Sequence, residues 1–442
     1  MAGVALFGTD GIRGRYGEFL TERLAERVAF AAGQLIPERS RIIIGRDTRA
    51  SGVALEGALT AGFIKSGHTV VRIGIIPTPG LAYLALEPGV ALAVMITASH
   101  NPASDNGIKI FGDNGMKISD SWEMQIETWV NSGIEVPNTP SGEVTEDSTA
   151  LDRYAKHLIG AIDVRLEGLI VALDCAHGAA SVIAPQVLEK LGASVHAIGV
   201  KPDGANINAG VGSTHLEALQ ELVRTSDADI GIAHDGDADR ALFVDLNGGI
   251  IDGDHVLATL ALAMSNSHRL KKSTVVTTVM SNLGFHKAMA GAGIAVEVTA
   301  VGDRYVLERL NELGLSLGGE QSGHIIIREQ ATTGDGILTA LTLLALIAKG
   351  EVNPGEISQV FESFPQILVN VPVSNKESVM IDPVITEALS DSERELGGSG
   401  RLLVRASGTE QLVRVMAEAE TVAQAEKVVT SLVALIRSRY GQ

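Results

Sequence analysis

Three carboxylates at alternate positions, Asp235, Asp237 and Asp239, close an apolar run and are followed by Arg240. At a strand end or in a tight loop, a period of two turns all three to one side, and Gly236 and Ala238 put no bulk between them. Oxygen-only ligation suits one hard cation, Mg²⁺ before others, and that implies phosphate chemistry. A calcium loop of the EF-hand type also opens D-x-D-x-D. It needs Gly at its sixth position and Glu at its twelfth, which here are Arg240 and Leu246, so it fails. A solvated acidic turn is the plainer alternative. The apolar flanks, 230–233 and 241–244, favour a buried strand delivering the loop to a cleft.

Further groups able to do chemistry cluster in three other loops. Ser99, in Thr97-Ala98-Ser99-His100-Asn101-Pro102, follows the apolar run 91–96 and is a candidate nucleophile. It lacks the glycines that flank a hydrolase nucleophile elbow, so acyl transfer loses ground. His100 would act as a base, orient the serine or bind phosphate; a turn whose polar side chains satisfy the backbone is equally open. Lys109 lies in the alternating segment 106–111, opposite Ile108 and Ile110, and would reach back towards Ser99. A lysine near a metal and other cations has its charged form disfavoured, which suits proton transfer with a sugar hydroxyl. A solvent-facing strand lysine is the alternative. The loop Gly318-Gly319-Glu320-Gln321-Ser322-Gly323-His324 offers donors and acceptors at close spacing, suited to a polyhydroxy ligand, or is a plain hairpin turn. Arg405-Ala406-Ser407-Gly408-Thr409-Glu410, continuing to Arg414, reads as a phosphate cradle of small residues, hydroxyls and guanidinium groups. Neither a Walker A lysine motif nor an intact G-x-G-x-x-G is present, so the phosphate belongs to a small substrate rather than a nucleotide.

Elements must hold these loops in place. With 442 residues the chain exceeds one hydrophobic core, and three or four domains are expected. Hydrophobic residues make up 45% and aromatics only 4%, so the interior is aliphatic, which favours α/β architecture. Short aliphatic runs at 42–44, 70–73, 91–96, 169–173 and 275–279 alternate with amphipathic stretches, such as a helix from about Ser51. Such alternation predicts repeated βα units with ligand loops after the strands. The polar stretch 131–147 suggests a boundary near residue 150; others are expected near 252–254 and 364–375. The domains are therefore placed at 1–152, 153–253, 254–368 and 369–442.

A formal net charge of −18 opposes partnership with nucleic acid or an anionic membrane. An anionic substrate then needs a local basic pocket, for which Arg13, Arg46, Arg240, Arg304 and Arg405 are candidates beside small residues, although taken singly most read as ordinary surface arginines. A single cysteine, Cys175, forms neither an intrachain disulfide nor a thiolate metal site, which fits a reducing cytoplasm. The opening residues carry no leader-like segment, and the longest apolar stretch, 337–348, is too short to span a bilayer and reads as a buried helix.

Together with Phe7-Gly8-Thr9-Asp10-Gly11-Ile12-Arg13-Gly14, these loops, in this order, resemble the α-D-phosphohexomutase family over nearly the whole chain. The opening motif and Glu320-Gln321-Ser322 resemble its glucosamine branch. The resemblance implies four domains around a central cleft, three of similar mixed-sheet α/β topology and a smaller C-terminal α+β domain. It implies that Ser99 is the phosphoserine and that one Mg²⁺ per chain is held by Asp235, Asp237, Asp239 and a phosphoserine oxygen. Lys109, with Arg13 and His100, would stabilise the transfer or relay protons, and Asp10, Arg240 and Arg304 would be further residues of the site. Gly319, Glu320 and Ser322 would grip the sugar, while Arg405, Ser407, Gly408, Thr409 and Arg414 would hold the phosphate that is not reacting. The implied reaction interconverts glucosamine 6-phosphate and glucosamine 1-phosphate through a sugar bisphosphate, feeding UDP-N-acetylglucosamine and cell-wall synthesis. A mutase of glucose or mannose phosphates and a non-catalytic sugar-phosphate sensor are the competing readings, and a homodimer is implied by the branch. Two positions depart from the family pattern. Gln411 stands where proline is usual, which removes a φ constraint, and Ala238 stands where glycine is common, which is harmless if φ there is negative.

Overall fold

The computed structural model describes residues 5–8, 10–407 and 411–441. The chain divides into two compact units, one of residues 1–280 and 293–360, the other of residues 281–292 and 361–442.

The first unit contains three sheets. The largest comprises β1 (Phe7–Gly8), β2 (Gly11–Arg15), β3 (Arg41–Arg46), β4 (Thr69–Ile75), β5 (Val90–Ile96), β6 (Asp105–Gly112) and β7 (Glu143–Glu146). Their order is β1-β2-β6-β5-β3-β4-β7, with β3 parallel to β4 and β5, and β6 antiparallel to β5 and β2. The aliphatic runs of β3 and β5 are buried on both faces, as central parallel strands require. Ile42 and Ile44 pack with Val28 and Leu59, from the helices Glu22–Gly33 and Gly52–Lys65. Ile43 turns the other way, to Leu81 of the helix Thr78–Leu84. The polar stretch 131–147 is not simply a linker, because β7 adds to the sheet edge, parallel to β4 and wholly exposed.

The second sheet comprises β8 (Ile170–Asp174), β9 (Ser194–Ile198), β10 (Ile230–His234), β11 (Ala241–Val244) and β12 (Ile250–Ile251), in the order β12-β11-β10-β8-β9. The carboxylate loop is the turn of its antiparallel β10–β11 hairpin. The third comprises β13 (Thr274–Thr278), β14 (Ala295–Thr299), β15 (Leu317–Gly319) and β16 (Ile325–Ile327), in the order β14-β13-β15-β16. Residues 320–324 turn its antiparallel β15–β16 hairpin. The apolar stretch expected to be a buried helix is the helix Gly336–Ala348, capped by Asp335.

The second unit is an antiparallel sheet of β17 (Gln366–Pro372), β18 (Gly400–Ala406) and β19 (Leu412–Ala419), in the order β17-β19-β18. The helix Val422–Tyr440 buries Val429, Leu432 and Ile436 in one core with Val371, Val413 and Val415. No helix among the described residues is long and apolar enough to cross a membrane.

Candidate active site

The β10–β11 hairpin is tight enough that Ala238 adopts φ +57°. The condition placed on alanine there, a negative φ, is not met. A left-handed alanine costs about 1–2 kcal/mol, which the surrounding bonds offset: Ala238 N–H reaches Asp235 O at 3.1 Å, and Gly336 N–H reaches Ala238 O at 3.0 Å. All three carboxylates of the turn are buried. Asp235 Oδ2 accepts the Ser99 hydroxyl at 2.5 Å, and its Oδ1 accepts the Arg240 backbone N–H at 3.3 Å. Asp237 Oδ2 accepts the Thr78 hydroxyl at 2.6 Å and the Lys109 ammonium at 2.9 Å. Asp239 Oδ2 faces Lys109 at 3.4 Å and His324 Nδ1 at 3.7 Å. The other oxygens, Asp237 Oδ1 and Asp239 Oδ1, are buried and accept no hydrogen bond. One oxygen from each of the three lies within 4.8 Å of the others. Burial, then the charges of Asp239 and Asp237, push the Asp235 carboxyl well above the usual range. Buried, mutually repelling, hard oxygen donors with two open positions fit Mg²⁺.

Ser99 sits beyond the end of β5, its side chain buried and its Oγ 3.3 Å from His100 Nδ1. Burial, then Arg240 and Arg13, push the His100 imidazole down to about 4, so it is neutral near pH 7. Lys109 lies on β6 opposite Met95, on the sheet face away from Ile108 and Ile110, as its alternation predicts. The expectation placed Lys109 among cations, whereas the nearest charged groups are carboxylates. Burial opposes the ammonium, but ion pairs with Asp237 at 2.9 Å, Asp10 at 3.1 Å and Asp239 at 3.4 Å raise its pKa above the ordinary lysine value. Asp10 also pairs with Arg13 and Lys117, and Lys117 continues to Asp303 at 2.7 Å. Arg240 Nε lies 3.8 Å from Asp239 Oδ1.

In the β15–β16 turn, Glu320 Oε1 accepts the Gly302 N–H at 3.1 Å, and Ser322 Oγ is buried with no hydrogen-bond partner. Gly319 O accepts the Thr277 hydroxyl at 3.2 Å, and Gln321 donates to Asp252 at 3.1 Å. His324 Nε2 accepts the Gly334 N–H at 3.0 Å, which leaves the ring's proton on Nδ1, towards Asp239. Arg304 pairs with Asp120, Glu123 and Glu308 rather than with any of the three loop carboxylates.

Within the second unit, Arg405 and Arg414 are cross-strand partners on β18 and β19. Burial and the facing Arg414 push the Arg405 pKa down, a strain that a bound anion would relieve. Ser407 donates its N–H to Leu412 O at 3.0 Å, and its carbonyl accepts Lys376 Nζ at 2.6 Å. Gly408 and Thr409 lie outside the described residues. Gln411 is braced without proline's constraint: its carbonyl accepts the Val373 N–H at 3.2 Å and its side chain donates to Ser374 O at 3.2 Å.

Sequence reasoning missed Thr78, Arg49, Asn208, Lys117 and Asp303, and gave His324 no role of its own. The polar run Arg46-Asp47-Thr48-Arg49 directly after a buried strand was a usable signal, since such folds place ligand loops there. Thr78, between two prolines, and Asn208 carry no local signature.

Family models of the phosphoglucomutase/phosphomannomutase α/β/α domains I, II and III match residues 4–136, 152–248 and 252–364. The model of the family's C-terminal domain matches residues 368–435. The phosphoglucosamine mutase of Nocardia farcinica is 47% identical, with 98% of this chain and 99% of the relative covered. That of Corynebacterium glutamicum is 48% identical over the same shares. Among solved structures, a phosphoglucomutase/phosphomannomutase family protein from Burkholderia thailandensis superposes with TM-score 0.83 at 24% identity, covering 98% of this chain and 97% of that one. An Aspergillus fumigatus N-acetylphosphoglucosamine mutase, in complex with GlcNAc-6P and magnesium, gives TM-score 0.70 at 18% identity, covering 98% and 95%.

Proposed function

Because the chain belongs to the phosphoglucomutase/phosphomannomutase family, we propose that it is a phosphoglucosamine mutase, interconverting glucosamine 6-phosphate and glucosamine 1-phosphate. The observation that carries the chemistry is the Ser99 hydroxyl, 2.5 Å from Asp235, beside two buried carboxylates with open oxygens. Relatives of that name at 47–48% identity over 98% of the chain support the glucosamine substrate, together with Glu320-Gln321-Ser322.

Ser99 carries the phosphoryl group. Asp235, Asp237, Asp239 and a phosphoserine oxygen would hold Mg²⁺, which when bound neutralises charge on the transferring group. A sugar hydroxyl attacks the phosphorus, the bond from phosphorus to Oγ breaks, and the hydroxyl proton ends on Oγ. The resulting bisphosphate turns end over end and returns its other phosphate to Ser99. Lys109, held as an ammonium by its three carboxylates, supplies fixed positive charge with Arg13 and Arg240 rather than a proton-accepting amine. His100, neutral and next to Oγ, is placed to orient the serine or relay its proton. Gly319, Glu320 and Ser322 take the sugar, and Arg405, Ser407, Gly408, Thr409 and Arg414 take the phosphate at its other end. The bisphosphate serves as intermediate or activator, and the product enters cytoplasmic UDP-N-acetylglucosamine and cell-wall precursor synthesis. The four domains are bounded near residues 152, 253 and 368.

The test is intact mass and mutase activity with Mg²⁺ on glucosamine 6-phosphate, glucose 6-phosphate and mannose 6-phosphate, for the native chain and Ser99→Ala. A phosphate-sized mass on the native chain alone, with turnover lost in the variant, supports the phosphoserine mechanism. Equal turnover in both removes Ser99 as carrier, and a wide preference for a neutral hexose phosphate overturns the glucosamine assignment.

A further inference from the structure

We propose that Arg49 and Asn208 are positioning residues that clamp the Ser99 loop in its reactive conformation from two sides, an inference that rests on the phosphoserine reading of the site. Ser99 has φ +50°, a left-handed conformation that a residue with a side chain leaves unless it is held. Its carbonyl oxygen accepts two hydrogen bonds, from Arg49 Nη2 at 3.0 Å and from Asn208 Nδ2 at 2.8 Å. The same two groups reach the Asn101 carbonyl at 2.9 and 3.0 Å, and Arg49 Nη1 reaches the Pro102 carbonyl at 3.1 Å. Three peptide carbonyls therefore converge on one guanidinium, fully buried and paired with Asp47 at 3.0 Å.

Asp47 closes the loop from the other end. Its Oδ2 accepts the Thr97 hydroxyl at 2.7 Å, and Thr97 Oγ1 accepts the Ser99 N–H at 2.9 Å. A ring of bonds thus runs from the Ser99 N–H through Thr97, Asp47 and Arg49 back to the Ser99 carbonyl. Asn208 enters from the segment after β9, with φ +58° and its N–H bonded to Ala176 O at 2.9 Å. The nucleophile loop of the first sheet is thereby registered against the sheet that carries the carboxylate turn.

The chemistry explains why a backbone clamp is needed. The hydroxyl of Ser99 is anchored by donating to Asp235, but a phosphorylated Oγ has no proton to donate. In the form that gives up its phosphoryl group that hydrogen bond is lost, while the bonds to the loop's backbone persist. In-line transfer depends on the placement of Oγ, whereas capture of the sugar and the distal phosphate depends on other loops. Loss of the clamp therefore lowers turnover and leaves capture intact.

The experiment uses the full chain with Asn208→Ala, and Arg49→Lys as a second variant that cannot bridge three carbonyls. Expected are a kcat about 100-fold lower with KM for the sugar phosphate unchanged. Also expected are a melting temperature close to the native one for Asn208→Ala, and faster amide exchange across residues 98–102 in the phosphorylated protein. An active, phosphorylated native chain with equally active variants overturns the clamp alone. So does a fall in activity tracked by KM, or amide exchange that does not change. A native chain that never carries phosphate on Ser99 overturns the phosphoserine reading, and the clamp's role in turnover with it.

Discussion

The orientation of Asp237 is decided by a residue outside its own loop. Thr78 and Lys109 both occupy Oδ2, so the oxygen left open is Oδ1, buried among the other donors. Thr78→Val keeps the shape of the side chain and removes the 2.6 Å bond, freeing the carboxylate to rotate. Its expected effect is a Mg²⁺ affinity weaker by roughly 10-fold, read by calorimetric titration, as is usual when the outer partner of a ligand is lost. An unchanged affinity would mean that Lys109 alone fixes the carboxylate. The trio itself was legible because alternate acids between two apolar runs are a local pattern. Thr78 was not, because it meets Asp237 only across 159 positions of chain. The surroundings of Lys109 were not legible for a related reason: the sequence shows the arginines near it but not that three carboxylates come closer.

Hairpins and helix starts do the placing at the next scale. Both the carboxylate turn and the turn 320–324 sit on short antiparallel hairpins whose strands are buried, so neither can drift without exposing aliphatic side chains. Gly336, the first residue of the helix Gly336–Ala348, donates its N–H to Ala238 O at 3.0 Å and so ties this helix to the carboxylate turn. The helix is capped by Asp335, whose Oδ1 accepts the Leu338 N–H at 2.9 Å and whose Oδ2 accepts the Tyr154 hydroxyl at 2.7 Å. Burial pushes the Asp335 carboxyl up to about 6, against the lowering effect of these bonds. Between its unfolded value of 3.8 and about 6 the folded chain holds the extra proton, so this group's contribution falls as pH rises through that window and is flat above it. The difference corresponds to about 3 kcal/mol. Asp335→Asn keeps an oxygen for the cap and removes the charge. It is expected to raise the melting temperature at pH 8 and flatten the pH dependence between 4 and 6, as followed by calorimetry. A variant less stable than the native chain at pH 8 would show that the cap or the tyrosine bond needs the carboxylate. Aliphatic runs made strands such as β3, β5 and β8 readable. The edge strand β7 was not, since Glu143, Val144, Thr145 and Glu146 become a strand only through pairing with β4, 74 positions earlier at Thr69↔Glu143.

At the scale of the molecule, the second unit is discontinuous in sequence. Asn282 donates to Phe364 O and accepts the Phe364 N–H, both at 2.9 Å, and Leu283 N–H reaches Glu418 Oε2 at 2.9 Å. Glu418 is fully buried, with Arg401 at 2.6 Å, so each donor to it matters. A fragment of residues 361–442 is therefore expected to be less stable, by about 2 kcal/mol, than the same fragment joined through a flexible linker to residues 281–292. Urea unfolding of the two fragments measures this, and equal midpoints would show that the segment contributes nothing. By itself the sequence determined the α/β class, the four loops dense in chemical groups, their order and the residue types in each, because such clusters are written in a few neighbouring positions. Only the tertiary structure decided which oxygens of the trio stay open, that Lys109 lies among three carboxylates, that Ala238 is left-handed, and that Arg49 and Asn208 grip the serine loop. Those facts depend on burial and on contacts between residues distant in the chain, where desolvation makes a hydrogen bond or an ion pair strong enough to fix one geometry, and no local pattern records them.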